Sequence, residues 1–571
     1  MKKLAIFAAA FVLTLGLAQC KKEQPNAQIT EGETVHITVN VNNNGSRADI
    51  QNPSTGHYDF KDGDKLYVGY NGVCAGALNY SASASIFSGD ITISQSGSQR
   101  LHFYYLGGSL EPAIDGTEYT VDISNQTSDY PVISYGTSNV DYTGAGTYTT
   151  TLLNKCALVK FNLANGTTDA VAVGGMMTKA TIDFANPGVV TPSAAGEITL
   201  HTGASTDEKW AILLSQSAVD NAPVAIGKGY LGYMVGVPAI EDNDFAPEIN
   251  TIDNSGTANV VILNRLTEDY MAQNGQVLTG TLANNVKISI ADDATVTLGG
   301  VSINANGAWT SGNYAGITCE GKATIILKDG TTNTVRGFNR NYPGIHVPED
   351  YTLTIDGTGS LTASSNGYDA GIGGGIGLSC GNILIEGGTV RATGGEEAAG
   401  IGGGGGTTSC GTICGTITIS GGTIEVTGGG RAAGIGSGGP GDEQGLGSSC
   451  GAITISGGTV TANGGLGASG IGSGALNRSS CGAITISGGT VTATGGVYAA
   501  AGIGSGCEAS CGDITITNDV TQVTATKGED LEGFGVDYYS IGAGAFGNCG
   551  TVTIGGVETG FITQSPFTYV P

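Results

Sequence analysis

The stretch CGAITISGGTVTATGGVYAAAGIGSG, Cys481 to Gly506, contains no charged side chain, and near copies of it stand before and after it in the chain. Its apolar residues alternate: Ile484 and Ile486 fall on one face of an extended segment and Thr485 on the other, a period of two and not of 3.6. Three extended pieces are predicted in each unit, here Ile484 to Ile486, Thr490 to Ala493 and Ala501 to Gly504. Gly488-Gly489 and Gly495-Gly496 lie between them, where a sharp corner demands dihedrals that a Cβ resists.

Aligned on the first piece, the phrase recurs at Val296, Ile325, Leu353, Ile383, Ile417, Ile453, Ile484, Ile514 and Val552, in steps of 28 to 38 residues. A near-constant phase of this length marks a solenoid. Three strands and their corners make one triangular coil, and coils stacked in register predict a parallel β-helix of about nine turns with three sheets. At about 4.8 Å per strand the rod is about 43 Å long. The unequal steps place insertions at corners, the longest around Gly438 to Ser449 and Lys527 to Ser540. A β-sandwich of many short strands is the competing fold, but it does not require one repeated phrase.

The rest of the chain has another texture. TVHITVNVNNN (Thr34 to Asn44) alternates as a half-buried strand does, and KLYVGY, LHFYYL and CALVKFNL follow at irregular spacing. No long helical pattern interrupts them. The predicted class is therefore all-β: a β-sandwich in two halves, 33–155 and 156–270, then the β-helix over 271–571.

The first nineteen residues read as an export signal, with Lys2 and Lys3 before an apolar run too short to span a bilayer. Leu17-Ala18-Gln19-Cys20 resembles the lipobox of bacterial lipoproteins, although Gln19 replaces the small residue usual there. That resemblance implies acylation of Cys20, a membrane partner reached through lipid, and 20–32 as a polar tether. An ordinary secretory signal is the alternative.

GSRA (Gly45 to Ala48), FKDGDKLYVGY (Phe60 to Tyr70) and CALVKFNL (Cys156 to Leu163) resemble the fimbrillin-like lipoproteins of Bacteroidetes. The likeness implies two sandwich halves, an outer-membrane, cell-surface location, association with other fimbrial subunits, and proteolytic maturation at an Arg after the first strand, here Arg47. An exposed Arg in a polar loop is the plainer account of that residue. ATVTLGGVSINANG (Ala294 to Gly307) and ATIILKDGTTNTVRG (Ala323 to Gly337) are similar to bacterial β-helix modules that bind plant glycans with calcium, and the later Gly-rich coils to repeats in surface proteins of anaerobes.

Composition excludes some functions. A formal charge of −26 in 571 residues repels phosphate backbones and argues against a nucleic-acid partner. No cofactor is implied. The acidic loops at Glu241 to Glu248, Gly441 to Gly445 and Lys527 to Asp530 could take a hard cation such as calcium, although solvated surface loops are the favoured account of them. Polysaccharide lyases and glycoside hydrolases occur on β-helices, but their chemistry needs carboxylates placed together, and Asp292-Asp293 reads as a turn. No enzyme is expected.

Six cysteines, Cys380, Cys414, Cys450, Cys481, Cys511 and Cys549, precede Gly at one phase of successive coils. A ladder of buried thiols is the favoured reading; cross-coil disulfides are the alternative, since adjacent coils set Cα atoms near 4.8 Å, and metal ligation is the least favoured. Recognition is expected just before the third strand of the early coils. There Trp309, Tyr314, Phe338, Tyr342 and Tyr368 would stack toward one edge, with Asn313, Asn339, Arg340 and Asn341 beside them to bond sugar hydroxyls. Aromatic shielding of the core is the alternative, and the favoured one for Tyr498. These readings predict a surface adhesin for a glycan or host surface, in a tip, accessory or stand-alone role. A catalytic rod and a passive spacer are the competing functions.

Overall fold

The computed structural model describes residues 32–42, 59–93, 99–107, 111–126, 132–242, 245–246, 251–282, 286–307, 312–407, 411–440, 445–476, 478–531 and 533–571. The export signal, Cys20, Arg47 and Trp309 lie outside the described residues.

The strand Glu33–Asn42 buries Ile37 and Val39 and leaves His36 and Asn40 in solvent, as its alternation dictates. It joins an eight-stranded sheet, antiparallel to Ile86–Ile93 and parallel to Gly146–Thr151. A second sheet pairs Cys156–Leu163 with Glu208–Leu214. Its side chains alternate between two cores. Cys156, Leu158, Trp210 and Ile212 pack with the eight-stranded sheet, while Ala157, Val159, Phe161, Ala211 and Leu213 pack with strands Val171–Asp183, Val219–Ile226 and Leu231–Val237. Burial on both faces explains why CALVKFNL reads as an almost unbroken apolar run. The halves also interlock, because Glu118–Asp122 pairs with Val171–Asp183.

The C-terminal region is a parallel β-helix. In the repeat, Ile484, Ile486, Val491, Ala493 and Ile503 all reach zero exposure and belong to one columnar core running from Val261 to Ile554. Leu353, Ile383, Ile417, Ile453, Ile484, Ile514 and Val552 stack in register. The first two coils register two residues away from the sequence alignment: Ala294 and Ala323, not Val296 and Ile325, stand over Leu353. A slip of two keeps the same face inward, so periodicity alone could not detect it.

Two further features differ from the three-sheet expectation. Strand Ala294–Ile303 is continuous and pairs with both Lys322–Leu327 and Thr332–Arg336, so the first two ladders are one bent sheet that later coils split. A fourth ladder is made by Ile413–Cys414, Ser449–Cys450, Ser480–Cys481, Ser510–Cys511 and Asn548–Cys549. Two residues per rung are too few for a periodic signal.

The Ala-Gly-Ile-Gly corner shows what its last Gly is for. Gly373, Gly402, Gly436, Gly472, Gly504 and Gly542 all hold φ between 129° and 138°. A Cβ on Gly436 would stand 1.8 Å from the carbonyl oxygen of Gly472 in the next coil. The coils can stack at this corner only without a side chain there.

Both ends of the rod are closed. Val260–Ile262 pairs antiparallel with the sandwich strand Leu231–Val237 and parallel with Val277–Leu282, so one sheet passes from sandwich into rod ahead of residue 271. Arg265 fastens the junction, donating to Glu197 at 2.6 and 3.1 Å and to the carbonyls of Gly227 and Gly229. At the far end Phe567–Tyr569 folds back antiparallel onto Gln522–Thr526. Covered ends remove the exposed edges that promote aggregation.

Candidate functional site

The third ladder stacks Ile317, Ile345, Ile372, Ile401, Ile435, Ile471 and Ile503, which fixes the phase of the corner before it. Four residues ahead of these isoleucines stand Asn313, Asn341, Tyr368, Glu397, Arg431, Gly467 and Ala499, and three ahead of the first three stand Tyr314, Tyr342 and Asp369. The corner therefore presents one edge of the rod on which residue type varies while the strands behind it repeat.

In the first coils this edge is polar and aromatic. Asn339 donates to the Asn313 side chain at 2.9 Å and accepts from the Arg340 amide at 2.6 Å. The Arg340 guanidinium lies 5.0 Å from the centre of the Tyr368 ring and donates to its hydroxyl at 3.2 Å. Glu396 shares that hydroxyl, and its bond and charge hold the Tyr368 phenol above its usual range. Asn313, Arg340 and Asn341 are exposed; Tyr342 and Tyr368 are half-buried.

Tyr314 is half-buried and packs edge-on against Phe338, ring centres 5.3 Å apart. Phe338 itself is only 3% exposed and belongs to the columnar core, so it supports the edge from below and offers no face to a ligand. Seven of the nine residues expected to form the rim, Asn313, Tyr314, Asn339, Arg340, Asn341, Tyr342 and Tyr368, are thus at the surface or half-buried along one edge.

Asp369 lies directly beneath. It is fully buried, accepts from the Ile376 amide at 2.8 Å and the Ser365 hydroxyl at 3.2 Å, and burial pushes its carboxyl up to about 7. With no exposed surface it cannot reach a substrate bond. The pair Asp292 and Asp293 forms a turn, where Asp292 accepts from the Lys322 amide at 2.9 Å and Asp293 has φ 54°. No three metal-ligating side chains converge among the described residues.

Farther along the edge, Glu397 accepts from the Arg431 amide at 3.0 Å and faces its guanidinium at 3.6 Å. Arg431 opens onto a cavity of about 340 Å³ lined with Leu466, Leu476, Tyr498, Glu508 and Phe534. Leu476, Tyr498 and Glu508 hold φ of 64°, 74° and 53°, strained values for residues with a Cβ, and such strain collects where side chains are held for binding. The Lys527 to Ser540 insertion builds one wall: the Tyr498 amide donates to the Glu529 carbonyl at 2.7 Å, and Phe534 packs against Phe546. Tyr498 therefore lines a concavity where sequence reasoning favoured shielding. Phe534, Leu466 and Leu476 gave no sequence signal, because their meeting depends on how an insertion folds over neighbouring coils.

The β-helix repeat family matches residues 353–376, 383–405, 417–439, 453–475 and 484–507, five successive coils. No curated protein matches the chain. Among solved structures, the N-terminal neighbours are fimbrial and candidate cell adhesion proteins of Bacteroidetes. A candidate cell adhesion protein of Bacteroides uniformis is 17% identical, with 39% of this chain and 94% of that one covered and a TM-score of 0.27. A fimbrial assembly protein of Parabacteroides distasonis is 10% identical over 39% and 92%, TM-score 0.25. The C-terminally truncated tip fimbrial protein Mfa3 of Porphyromonas gingivalis is 9% identical over 36% and 82%, TM-score 0.23. At these scores nothing about activity follows from the likeness.

Proposed function

We propose that this chain is a cell-surface adhesin in which the β-helix edge from Asn313 to Phe534 binds carbohydrate without cleaving it. One observation carries the reading: the strands of the rod repeat, while a single edge gathers exposed amides, an Arg–Tyr pair, half-buried rings and a concave apolar cavity. Sugar rings present apolar C–H faces and a fringe of hydroxyls, and rings flanked by amides and a guanidinium complement both. Acid-base hydrolysis would need two accessible carboxyls flanking the bond; among the described residues, Asp369, whose carboxyl is raised to about 7, is sealed beneath the edge, and Glu397, also raised by burial, is held by Arg431.

The sandwich serves as the mount. Acylation of Cys20 would hold it on the outer membrane. A tip, accessory or stand-alone role, in place of a repeating shaft role, is part of the same proposal.

The test is retention of the full chain on immobilised plant and host polysaccharides, with release of reducing ends or unsaturated products measured in parallel. The double variant Tyr342→Ala, Tyr368→Ala should lose at least tenfold in retention while keeping its unfolding transition, and no product should form. Product release would establish an enzyme. Equal retention by a folded variant would leave the early edge without a binding role.

A further inference from the structure

The six repeat cysteines form one column. Cys380 stands opposite Cys414, Cys414 opposite Cys450, Cys450 opposite Cys481, Cys481 opposite Cys511, and Cys511 opposite Cys549. The first and last pairs are disulfides, with Cα atoms 4.4 and 4.5 Å apart. Cys450 and Cys481 remain as buried thiols, directly opposed in the same parallel ladder.

Geometry restricts what this column can do. Each cysteine can bond only to the one immediately above or below, because the next rung lies about 9 Å away, beyond the roughly 7 Å that a disulfide spans. A column of six with nearest-neighbour bonds can be fully paired in one way only: first with second, third with fourth, fifth with sixth. The two bridges present are the outer members of that set. A bridge from Cys414 to Cys450, or from Cys481 to Cys511, would instead strand an end cysteine.

We propose that Cys450 and Cys481 are the site of a third disulfide, so that the mature rod carries three staples joining coils four to five, six to seven and eight to nine. The Cys450 thiol donates weakly to the Gly415 carbonyl at 3.7 Å and the Cys481 thiol to that of Gly482 at 3.2 Å, contacts a side-chain rotation can release. The reaction is thiol–disulfide exchange with an oxidised disulfide donor, glutathione disulfide or a disulfide oxidoreductase. The Cys450 and Cys481 S–H bonds are lost, their S–S bond forms, and the donor's disulfide takes up the two electrons and two protons as a pair of thiols. Burial pushes the Cys450 thiol up to about 12 and the Cys481 thiol well above its ordinary value, so little thiolate exists once the coils close. The exchange therefore belongs to the period before coils six and seven have stacked.

The test uses the full chain refolded with a glutathione redox couple, blocked with N-ethylmaleimide in denaturant, digested without reduction and mapped by mass spectrometry. Three linked peptide pairs are expected, Cys380 with Cys414, Cys450 with Cys481 and Cys511 with Cys549, while the other six cysteines of the chain, Cys20, Cys74, Cys156, Cys319, Cys410 and Cys507, carry the label. Label on Cys450 and Cys481, or linkage of Cys414 to Cys450 or of Cys481 to Cys511, would overturn the proposal.

Discussion

The sandwich and the rod are both all-β, yet they solve the core in different ways. The largest fully buried side chains, Tyr70, Tyr104, Phe87, Phe103, Phe161, Phe184 and Lys209 among them, all belong to the sandwich. Its interior is a jigsaw of unlike pieces, fixed by T-shaped contacts such as Phe60 on Phe87 at 4.7 Å and Tyr104 on Phe184 at 5.1 Å. The rod's interior is a set of columns, Ile on Ile and Ala on Ala, each rung touching only its neighbours. Irregular packing fixes one shape. Columnar packing lets a coil be repeated and frees the corners to vary, and that is where the candidate site lies.

The largest expected effect tests whether backbone clearance, more than side-chain volume, limits the rod. Gly436→Ala should cost about 4 kcal/mol or more, because the new methyl meets a carbonyl of the next coil and the φ is hostile to it. Gly63→Ala, in an open sandwich turn with φ 94° and nothing within 4 Å of the added carbon, should cost only about 1 kcal/mol. Urea midpoints measure both. Equal costs would erase the distinction between the two regions.

A smaller effect probes a corner position at which a buried carboxyl replaces the alanine of the later coils. Asp369 stands where later coils carry Ala398, Ala432, Ala468 and Ala500. Its carboxyl is raised from 3.8 to about 7 in the folded state, so the native form holds the proton more tightly. The stability this contributes is complete below about pH 4 and is lost as pH rises through 7. Asp369→Asn should therefore match the wild type near pH 4 and exceed it by a few kcal/mol near pH 8, read from unfolding curves across that range. A difference that does not change with pH would show that the carboxyl is solvated and that the column is not closed there.

The smallest effect concerns the outer face. Arg391 and Glu425 pair at 2.9 Å across adjacent coils, each more than half exposed. Arg391→Ala should shift stability by no more than about 0.5 kcal/mol, since solvent screens the pair and the columns behind it are unchanged. A larger loss would mean that surface ladders, as well as columns, hold the coils.

What sequence could reveal follows the same division. The repeated phrase made the rod legible, down to the insertions at its corners, because period-two alternation and paired glycines are local signals. The alternation of Thr34 to Asn44 made the first sandwich strand legible for the same reason. Other features depend on what lies across a stacking gap. The two-residue register shift at Ala294, the burial of Phe338 beneath Tyr314 and the cavity closed by Phe534 leave no mark in the order of residues, and the fourth ladder shows there only as the recurring cysteine of its rungs. The double burial of Cys156–Leu163 was visible as an apolar run but not as a strand shared by two cores.

The strand Val260–Ile262, hydrogen-bonded to the sandwich on one side and to the first coil on the other, leaves no joint between base and rod. In the proposed role, a sideways pull by a bound target acts on a lever arm, and its torque passes into the sandwich as a load on those few bonds and on the Arg265–Glu197 clasp. Such an arm aims. Under the proposed adhesin role, the candidate edge is held at a set angle to the base, and a target approaches it from the flank of the rod and not from its end.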